Sequence, residues 1–294
     1  MTTVLPERAV IIDQPGVYDL DEVSYFADPV PAGSLSASGA KLLLPPSCPA
    51  LFRYAADNPP KTKREYDLGH AAHKFALGVG AEIVAVEAND WRTKAAKEAA
   101  AEARADGKVP LLAREVEQVK AMAAALRRDP YASALLNPDH GKPEQSIFWF
   151  DEGAGIWRRA RLDWLPDASR GRFIIPDYKT STSANPEDFR KAVDNFRYHV
   201  QDAWYRDAVK AVGLADDPLF VFIVQMKEPP YLVSVVQLDA EAQRVGRELA
   251  DRAIGIYRDC SEVGYWPGFT VPGSDEEIPE ISLPTWAVRA HDNS

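Results

Sequence analysis

Arg158-Arg159-Ala160-Arg161-Leu162-Asp163-Trp164 is followed, after the turn residues Pro166, Asp167, Ser169 and Gly171, by Phe173-Ile174-Ile175-Pro176-Asp177-Tyr178-Lys179. Both runs read as strands, and the short turn between them predicts an antiparallel hairpin. Side chains alternate along a strand, so Asp177 and Lys179 share one face while Tyr178 takes the other. Paired in this way, Asp163 reaches the same spot from the neighbouring strand. Two carboxylates and one ammonium converging from rigid elements can hold a divalent cation and orient a water.

Outward from this hairpin the periodicity is readable on both sides. Upstream, Gln145-Ser146-Ile147-Phe148-Trp149-Phe150 is a strand opened by Glu144, and the turn Asp151-Glu152-Gly153-Ala154-Gly155 leads into the Asp163 strand. Downstream, Asn185-Pro186-Glu187-Asp188 starts a helix with a capping side chain, Pro in the first turn and acids at the positive end. A second helix runs from Tyr198 to Val212 and stops at Gly213. Its Gln201 and Tyr205 stand at i,i+4, so an amide and a phenol point the same way. Leu219–Gln225 and Tyr231–Leu238 make a further hairpin, and Asp239 caps a long helix that buries Cys260. Nearer the start, Ser36 or Ser38 caps a helix ended by Pro45-Pro46, and Leu68, Ala72, Phe75 and Ala76 follow helical spacing from Glu65 to Gly78. Ala95–Ala105 and Val116–Leu126 are two more helices. The fold class expected is α/β (α+β): a mixed central β-sheet with a catalytic antiparallel hairpin, flanked by helices.

Asp163, then Asp177-Tyr178-Lys179, then Gln201-Asp202-Ala203-Trp204-Tyr205 resemble the D…(D/E)-x-K…Q-x-x-x-Y series of the PD-(D/E)xK nuclease superfamily in its RecB-like branch, and Gly69-His70-Ala71-Ala72-His73 is similar to that branch's G-x-x-x-H element. Tyr198-His199-Val200-Gln201, Ser36-Ala37-Ser38 and Leu283-Pro284-Thr285-Trp286-Ala287 bring the likeness closest to RecE-type phage and prophage exonucleases. The resemblance implies a nuclease domain over residues 36–265, while the aperiodic Pro-, Asp- and Val-rich start reads as an N-terminal arm over 1–35 and the proline-rich, acidic end as an extended C-terminal tail over 266–294 packed on the domain. It implies Mg²⁺, with Mn²⁺ as substitute, held by Asp163, Asp177, the Tyr178 carbonyl and His73. Lys179 is then the residue that orients and helps deprotonate water, with partial desolvation and the metal lowering its pKa. Gln201 and Tyr205 line the cleft, and Glu144 stands where related exonucleases place an additional acid. The implied activity is 5′→3′ digestion of linear double-stranded DNA from its ends, as a homo-oligomeric ring that leaves 3′ single strands for a RecT-like annealing protein. A single-strand nuclease or endonuclease of the same fold, or a non-catalytic DNA-end binder, are the alternatives. Asp177 departs from the Glu common at its position, and Pro176 inside a strand marks an edge or a bulge.

Composition sets the outer bounds. The 294 residues suffice for one large domain, and two cysteines, Cys48 and Cys260, exclude a disulfide framework and a four-cysteine cluster. Ser47-Cys48-Pro49 resembles the start of the iron–sulfur RecB-like nucleases, and the cysteine count sets that subgroup aside. No apolar run approaches the roughly 20 residues of a membrane span, and Met1–Val30 has no basic-then-apolar leader, which predicts a cytoplasmic protein. The net charge of −10 is unusual for a DNA-binding chain, but between Arg158 and Lys210 eleven Lys or Arg stand against eight Asp or Glu. That local excess predicts a positive patch on an acidic body.

Overall fold

The structure, a computed structural model, describes residues 10–58, 64–167, 172–269 and 280–292. The turn residues Ser169 and Gly171, and the tail residues Pro272, Asp275-Glu276-Glu277 and Pro279, lie outside the described residues. The chain opens with β1 (Gly16–Tyr18), α1 (Glu22–Phe26) and β2 (Ser34–Ser36). Helices α2 (Ala37–Leu43), α3 (Pro49–Asp57) and α4 (Arg64–Leu77) follow, then β3 (Ile83–Val86), α5 (Lys94–Ala105), β4 (Val109–Leu112), α6 (Ala113–Arg128) and α7 (Pro130–Leu135). The central strands are β5 (Gly141–Asp151), β6 (Ile156–Pro166) and β7 (Ile174–Ser181). After them come α8 (Pro186–Asn195), α9 (Tyr198–Ala211), β8 (Leu219–Met226), β9 (Val233–Val236), α10 (Ala240–Val263) and α11 (Thr285–Asp292). Among the described residues no helix is long and apolar enough to cross a membrane.

The sheets are mixed, as expected. β1 and β6 pair antiparallel with β5, and β2 adds parallel to β6. β7 runs parallel to β8, which pairs antiparallel with β9, and β3 and β4 form a parallel pair. Along β6 burial alternates without a fault from Ile156 to Trp164: Arg158, Ala160, Leu162 and Trp164 turn inward, while Arg159, Arg161 and Asp163 turn to the other face. The inward Arg158 is only 4% exposed, sandwiched between the rings of Trp149 and Trp204 at 4.8 and 4.0 Å. Its charge is met by Asp151 at 2.9 Å and Asp207 at 3.0 Å. Burying a guanidinium is costly unless its charge is paired in this way, although its Nε is left without a hydrogen-bond partner.

The predicted β6–β7 hairpin does not form. The two strands are neighbours but belong to different hydrogen-bonded sheets. The reason lies on the facing edge of β7. Residues two apart in a strand direct their N–H groups the same way, so the N–H of Tyr178 and the missing N–H of Pro176 both lie on the side away from β8. Pro176 donates nothing, and Tyr178 N–H donates to the Asp163 carboxylate at 2.7 Å instead of to a backbone carbonyl. A side chain has replaced the ladder, and the strands splay. β7 is thus an edge strand of its three-stranded sheet, which accounts for a proline within it.

Two stretches read as irregular hold structure. The N-terminal arm is not simply extended, since β1 pairs with β5 and Tyr25 of α1 is buried against Phe148. The C-terminal tail carries α11, and its Ile281, Leu283 and Trp286 are exposed instead of packed.

Helix α9 is fixed by a close approach to α10. Gly246 lies against the carbonyl of His199, and a Cβ there would fall inside contact distance of that oxygen. Gly246→Ala is expected to force the helices apart and cost about 1–3 kcal/mol, read as a lower urea midpoint with an unchanged slope. An unaltered midpoint would show that α9 is not held by this contact.

Candidate active site

The splay between β6 and β7 is filled by polar side chains. Asp177, on β7, is 1% exposed. Its Oδ1 accepts from Gln201 Nε2 of α9 at 2.6 Å, and its Oδ2 touches the Lys179 ammonium. That contact lacks hydrogen-bond geometry, so Oδ2 is a buried carboxylate oxygen without a hydrogen bond. Asp163 Oδ2, besides taking the Tyr178 N–H, lies 3.1 Å from His73 Nε2 of α4. The other imidazole nitrogen, Nδ1, is 3.0 Å from Glu144 Oε1.

Glu144 is placed by the backbone. Pro143 pairs with Trp164 and Gln145 with Leu162, so Glu144 falls opposite Asp163, but it drops out of the register with φ at +56°. A left-handed conformation is costly for glutamate and persists only where the surroundings impose it. Here Arg161 Nε donates to Glu144 Oε2 at 2.5 Å and a further guanidinium nitrogen donates to the Leu20 carbonyl at 2.6 Å. The kink thus aims the carboxylate at His73.

The electrostatics follow from burial and crowding. Burial pushes the Asp177 carboxyl up, Lys179 pulls it down and Asp163 raises it again, leaving it at about 6. For Asp163 burial acts upward too, but His73, Lys179 and the Tyr178 N–H outweigh it and hold the group at about 2. Burial alone would make His73 neutral, and the carboxylates of Asp163 and Glu144 reverse this and lift it to about 10. Lys179 is likewise raised: burial lowers it, and Asp177 and Asp163 overcome that. The expected downward shift of Lys179 is therefore not a property of the protein alone. Burial raises the Tyr205 phenol, whose hydroxyl bonds to Gln201.

The structure brings together every residue the sequence singled out: Asp163, Asp177, Lys179, His73, Glu144, Gln201, Tyr205 and the backbone of Tyr178. The Tyr178 ring points away, its hydroxyl donating to Gln225 Oε1 at 2.6 Å in the second core cluster. One residue escaped the sequence reading. Lys41, on α2, carries its amine 5.4 Å from the Tyr198 ring centroid, and Lys179 stands 5.2 Å from the same ring. Burial and the nearby Lys179 push the Lys41 amine down to about 7, with Asp177 opposing. Nothing in its helical spacing separates it from an ordinary surface lysine.

Three of the arginines counted toward the expected basic patch are neutralised within the fold. Arg158 is buried between Asp151 and Asp207, Arg159 pairs with Asp28 at 2.5 Å, and Arg161 pairs with Glu144. A cleft of about 1020 Å³ opens onto Asp163, His73, Glu144 and Tyr205, and Asp19, Asp21 and Glu22 also line it beside Lys74 and Lys142.

Oxygens of Asp163 and Asp177 with one imidazole make a donor set suited to a hard divalent cation. Two features fit such a guest: the Asp177 Oδ2 without a hydrogen bond, and a histidine that bridges two carboxylates only by carrying positive charge itself. Among the described residues no three acidic, His or Cys side chains already stand as a metal cage, because Glu144, His73 and Asp163 form a chain while Asp177 turns to Gln201 and Lys179. Gln201→Ala would strip Asp177 Oδ1 of its donor. Hydrogen bonds to charged groups contribute roughly 1.5–3 kcal/mol, so kcat for the reaction at this site is expected to fall about 10- to 100-fold. Full activity would make the amide a packing residue.

Residues 36–270 match a family described as a PDDEXK-like domain of unknown function (DUF3799). The chain belongs to this family. A solved structure from Eubacterium rectale, provisionally described as an exonuclease, superposes with a TM-score of 0.59 at 13% identity, covering 93% of this chain and 99% of that one. At that identity the likeness speaks for the fold alone. No curated protein matches the chain.

Proposed function

We propose that this PDDEXK-like chain is a metal-dependent deoxyribonuclease that hydrolyses phosphodiester bonds where the splayed strands β6 and β7 meet the cleft lined by Asp163 and His73. The observation that carries the reading is the meeting of Asp163 with His73, and of Asp177 with Lys179 and Gln201, across the splay between β6 and β7, with Asp163 and His73 lining the adjoining cleft. Asp163, Asp177 and Lys179 are largely buried and shift one another's pKa values, and buried titratable clusters of this kind concentrate at functional sites.

Mg²⁺ or Mn²⁺ held by Asp163, Asp177, the Tyr178 carbonyl and His73 would neutralise the phosphate and the leaving 3′-oxygen. The chain's own groups do the rest. Asp163 is locked by the Tyr178 N–H, so the two strands hold a fixed separation. Gln201 keeps Asp177 from rotating. Glu144 and Arg161 set the tilt of the His73 ring. Lys179 Nζ, lodged against Asp177, orients the attacking water and takes part in moving its proton.

The finer reading is a 5′→3′ exonuclease of the RecE type, acting at ends of linear duplex DNA in the cytoplasm as a homo-oligomeric ring. It would supply 3′ single strands to an annealing protein. It rests on the short motifs Ser36-Ala37-Ser38, Tyr198-His199-Val200-Gln201 and Leu283-Pro284-Thr285-Trp286-Ala287. Linear duplex labelled separately at each 5′ end and each 3′ end, with a covalently closed circle as control, tests it in Mg²⁺. Release of 5′ label first, with the circle intact, is the expected result. Nicking of the circle would make it an endonuclease, and no cleavage of any DNA in Mg²⁺ or Mn²⁺ would end the nuclease reading.

A further inference from the structure

Beside the catalytic lysine, on the side reached from α2, an amine and a run of aromatic rings have no part in the mechanism above. Phe196 caps the C-terminus of α8 and is 60% exposed. Its ring stacks on Tyr198, with centroids 5.6 Å apart and planes 29° from parallel, and Tyr198 stacks in turn on Phe189 at 5.7 Å and 24°. The stack therefore ends in a ring that faces water. Arg197, between Phe196 and the helix α9, holds φ at +53° and donates to the Pro45 carbonyl at 3.0 Å, which ties this corner to the end of α2.

Lys41 of α2 completes the corner. Among the described residues its ammonium has no ion pair and no hydrogen bond, although it is partly buried. The nearest acid that acts on it, Asp177, is already engaged by Lys179. A partly desolvated ammonium without a counter-ion favours an anion. Lys41 and Lys179 flank the ring of Tyr198, so an anion on Lys41 would lie one residue's breadth from the reacting centre.

We propose that Lys41 and Phe196 form a nucleotide subsite next to the scissile bond, Lys41 taking a backbone phosphate and Phe196 stacking an unpaired base. The chemistry selects nucleic acid because an amine and an exposed stacked ring at one corner match the two repeating parts of a strand, the phosphate and the π-face. It selects an unpaired nucleotide because both faces of a base inside a duplex are covered by its neighbours. The substrate strand is thus an end that has frayed or a strand already single. This rests on the nuclease reading for the position of the scissile bond, but not for the stacking itself.

Two measurements separate the claims. In the first, an oligonucleotide carries 2-aminopurine at its terminal position and chelator prevents cleavage. Wild-type protein is expected to quench the fluorescence, Phe196→Ala to abolish the quench, and Phe196→Trp to restore it. In the second, cleavage of duplex with mismatched terminal pairs is compared with blunt duplex in Mg²⁺. Wild type is expected to prefer the mismatched end. Base stacking contributes about 1–3 kcal/mol, so Phe196→Ala should raise KM roughly 5- to 150-fold, with the loss falling on KM, and erase the preference. Lys41→Gln should raise KM on both ends and flatten its dependence on salt. Quenching that is unchanged in Phe196→Ala, or KM values within twofold of wild type in both variants, would overturn the subsite. Quenching without any cleavage would uphold the subsite and sink the nuclease reading alone.

Discussion

Lys179→Ala is expected to slow phosphodiester hydrolysis by about 10²-fold or more while DNA affinity changes little. The amine sits where two carboxylates hold it, touching Asp177 and within reach of Asp163, and both lift its pKa. In the protein alone it is a firm cation, so its contribution is to orient water and to stabilise negative charge that develops on the phosphate. A divalent cation held by the same carboxylates would weaken that lift, and Lys179 could then share a proton with water. Truncation removes both roles without opening the cleft, because Asp177 keeps Gln201 and Asp163 keeps the Tyr178 N–H. Lys179→Arg should not rescue the rate, since a guanidinium is broader and does not give up a proton near neutral pH. Single-turnover rates on end-labelled duplex, with binding measured in parallel, decide it. Turnover within a few-fold of wild type in Lys179→Ala would remove the lysine from the chemistry.

Much of this site is visible in the sequence because its parts lie on elements with strong local signals. The period-two pattern of β6 puts Asp163 on the polar face, and helical spacing puts Gln201 and Tyr205 together. Caps at Ser36, Asn185 and Asp239 fall where the residue types say they should. The pairing of strands is another matter. Adjacent strands with a short turn suggest a hairpin, and only the combination of Pro176 with an intruding Asp163 carboxylate shows why β6 and β7 part company. Charge is equally hard to read along a line. Arg158, Arg159 and Arg161 look like a basic track, yet each meets an acid far away in sequence: Asp207, Asp28 and Glu144. Lys41 is the converse case, a lysine of no local distinction that reaches the site only because α2 packs on α9.

The acidic lip bears on how substrate enters. Asp19, Asp21 and Glu22 line the cleft, and Arg161 anchors this segment through the Leu20 carbonyl. A duplex carries two anionic backbones and one strand half that charge, so these three acids would oppose the proposed duplex substrate more than a single strand. Lys74 and Lys142 line the same cleft, so the strand proposed as substrate would meet positive charge there as well.

Asp177→Asn should abolish both the response to divalent metal and the cleavage. The amide is isosteric, and its oxygen can still accept from Gln201, so the wall of the cleft keeps its shape. What is lost is the anionic oxygen that stands buried without a hydrogen bond. Hard cations prefer charged carboxylate oxygen, and the stabilisation a metal gives to transition-state charge is of the order of several kcal/mol, so a loss of about 10²–10⁴ in rate is expected. A ligand that binds only the folded chain raises its melting temperature. Wild type should therefore melt higher in MgCl₂ than in chelator, and Asp177→Asn should melt alike in both. Asp57→Asn makes the same change of charge on an exposed residue paired with Arg53, and it should behave as wild type in both assays. If Asp177→Asn keeps the metal-dependent shift in melting but loses cleavage, the cation rests on Asp163 and His73, and Asp177 serves the lysine instead. If it keeps both, the carboxylate at the centre of the splayed strands is not where the chemistry is done.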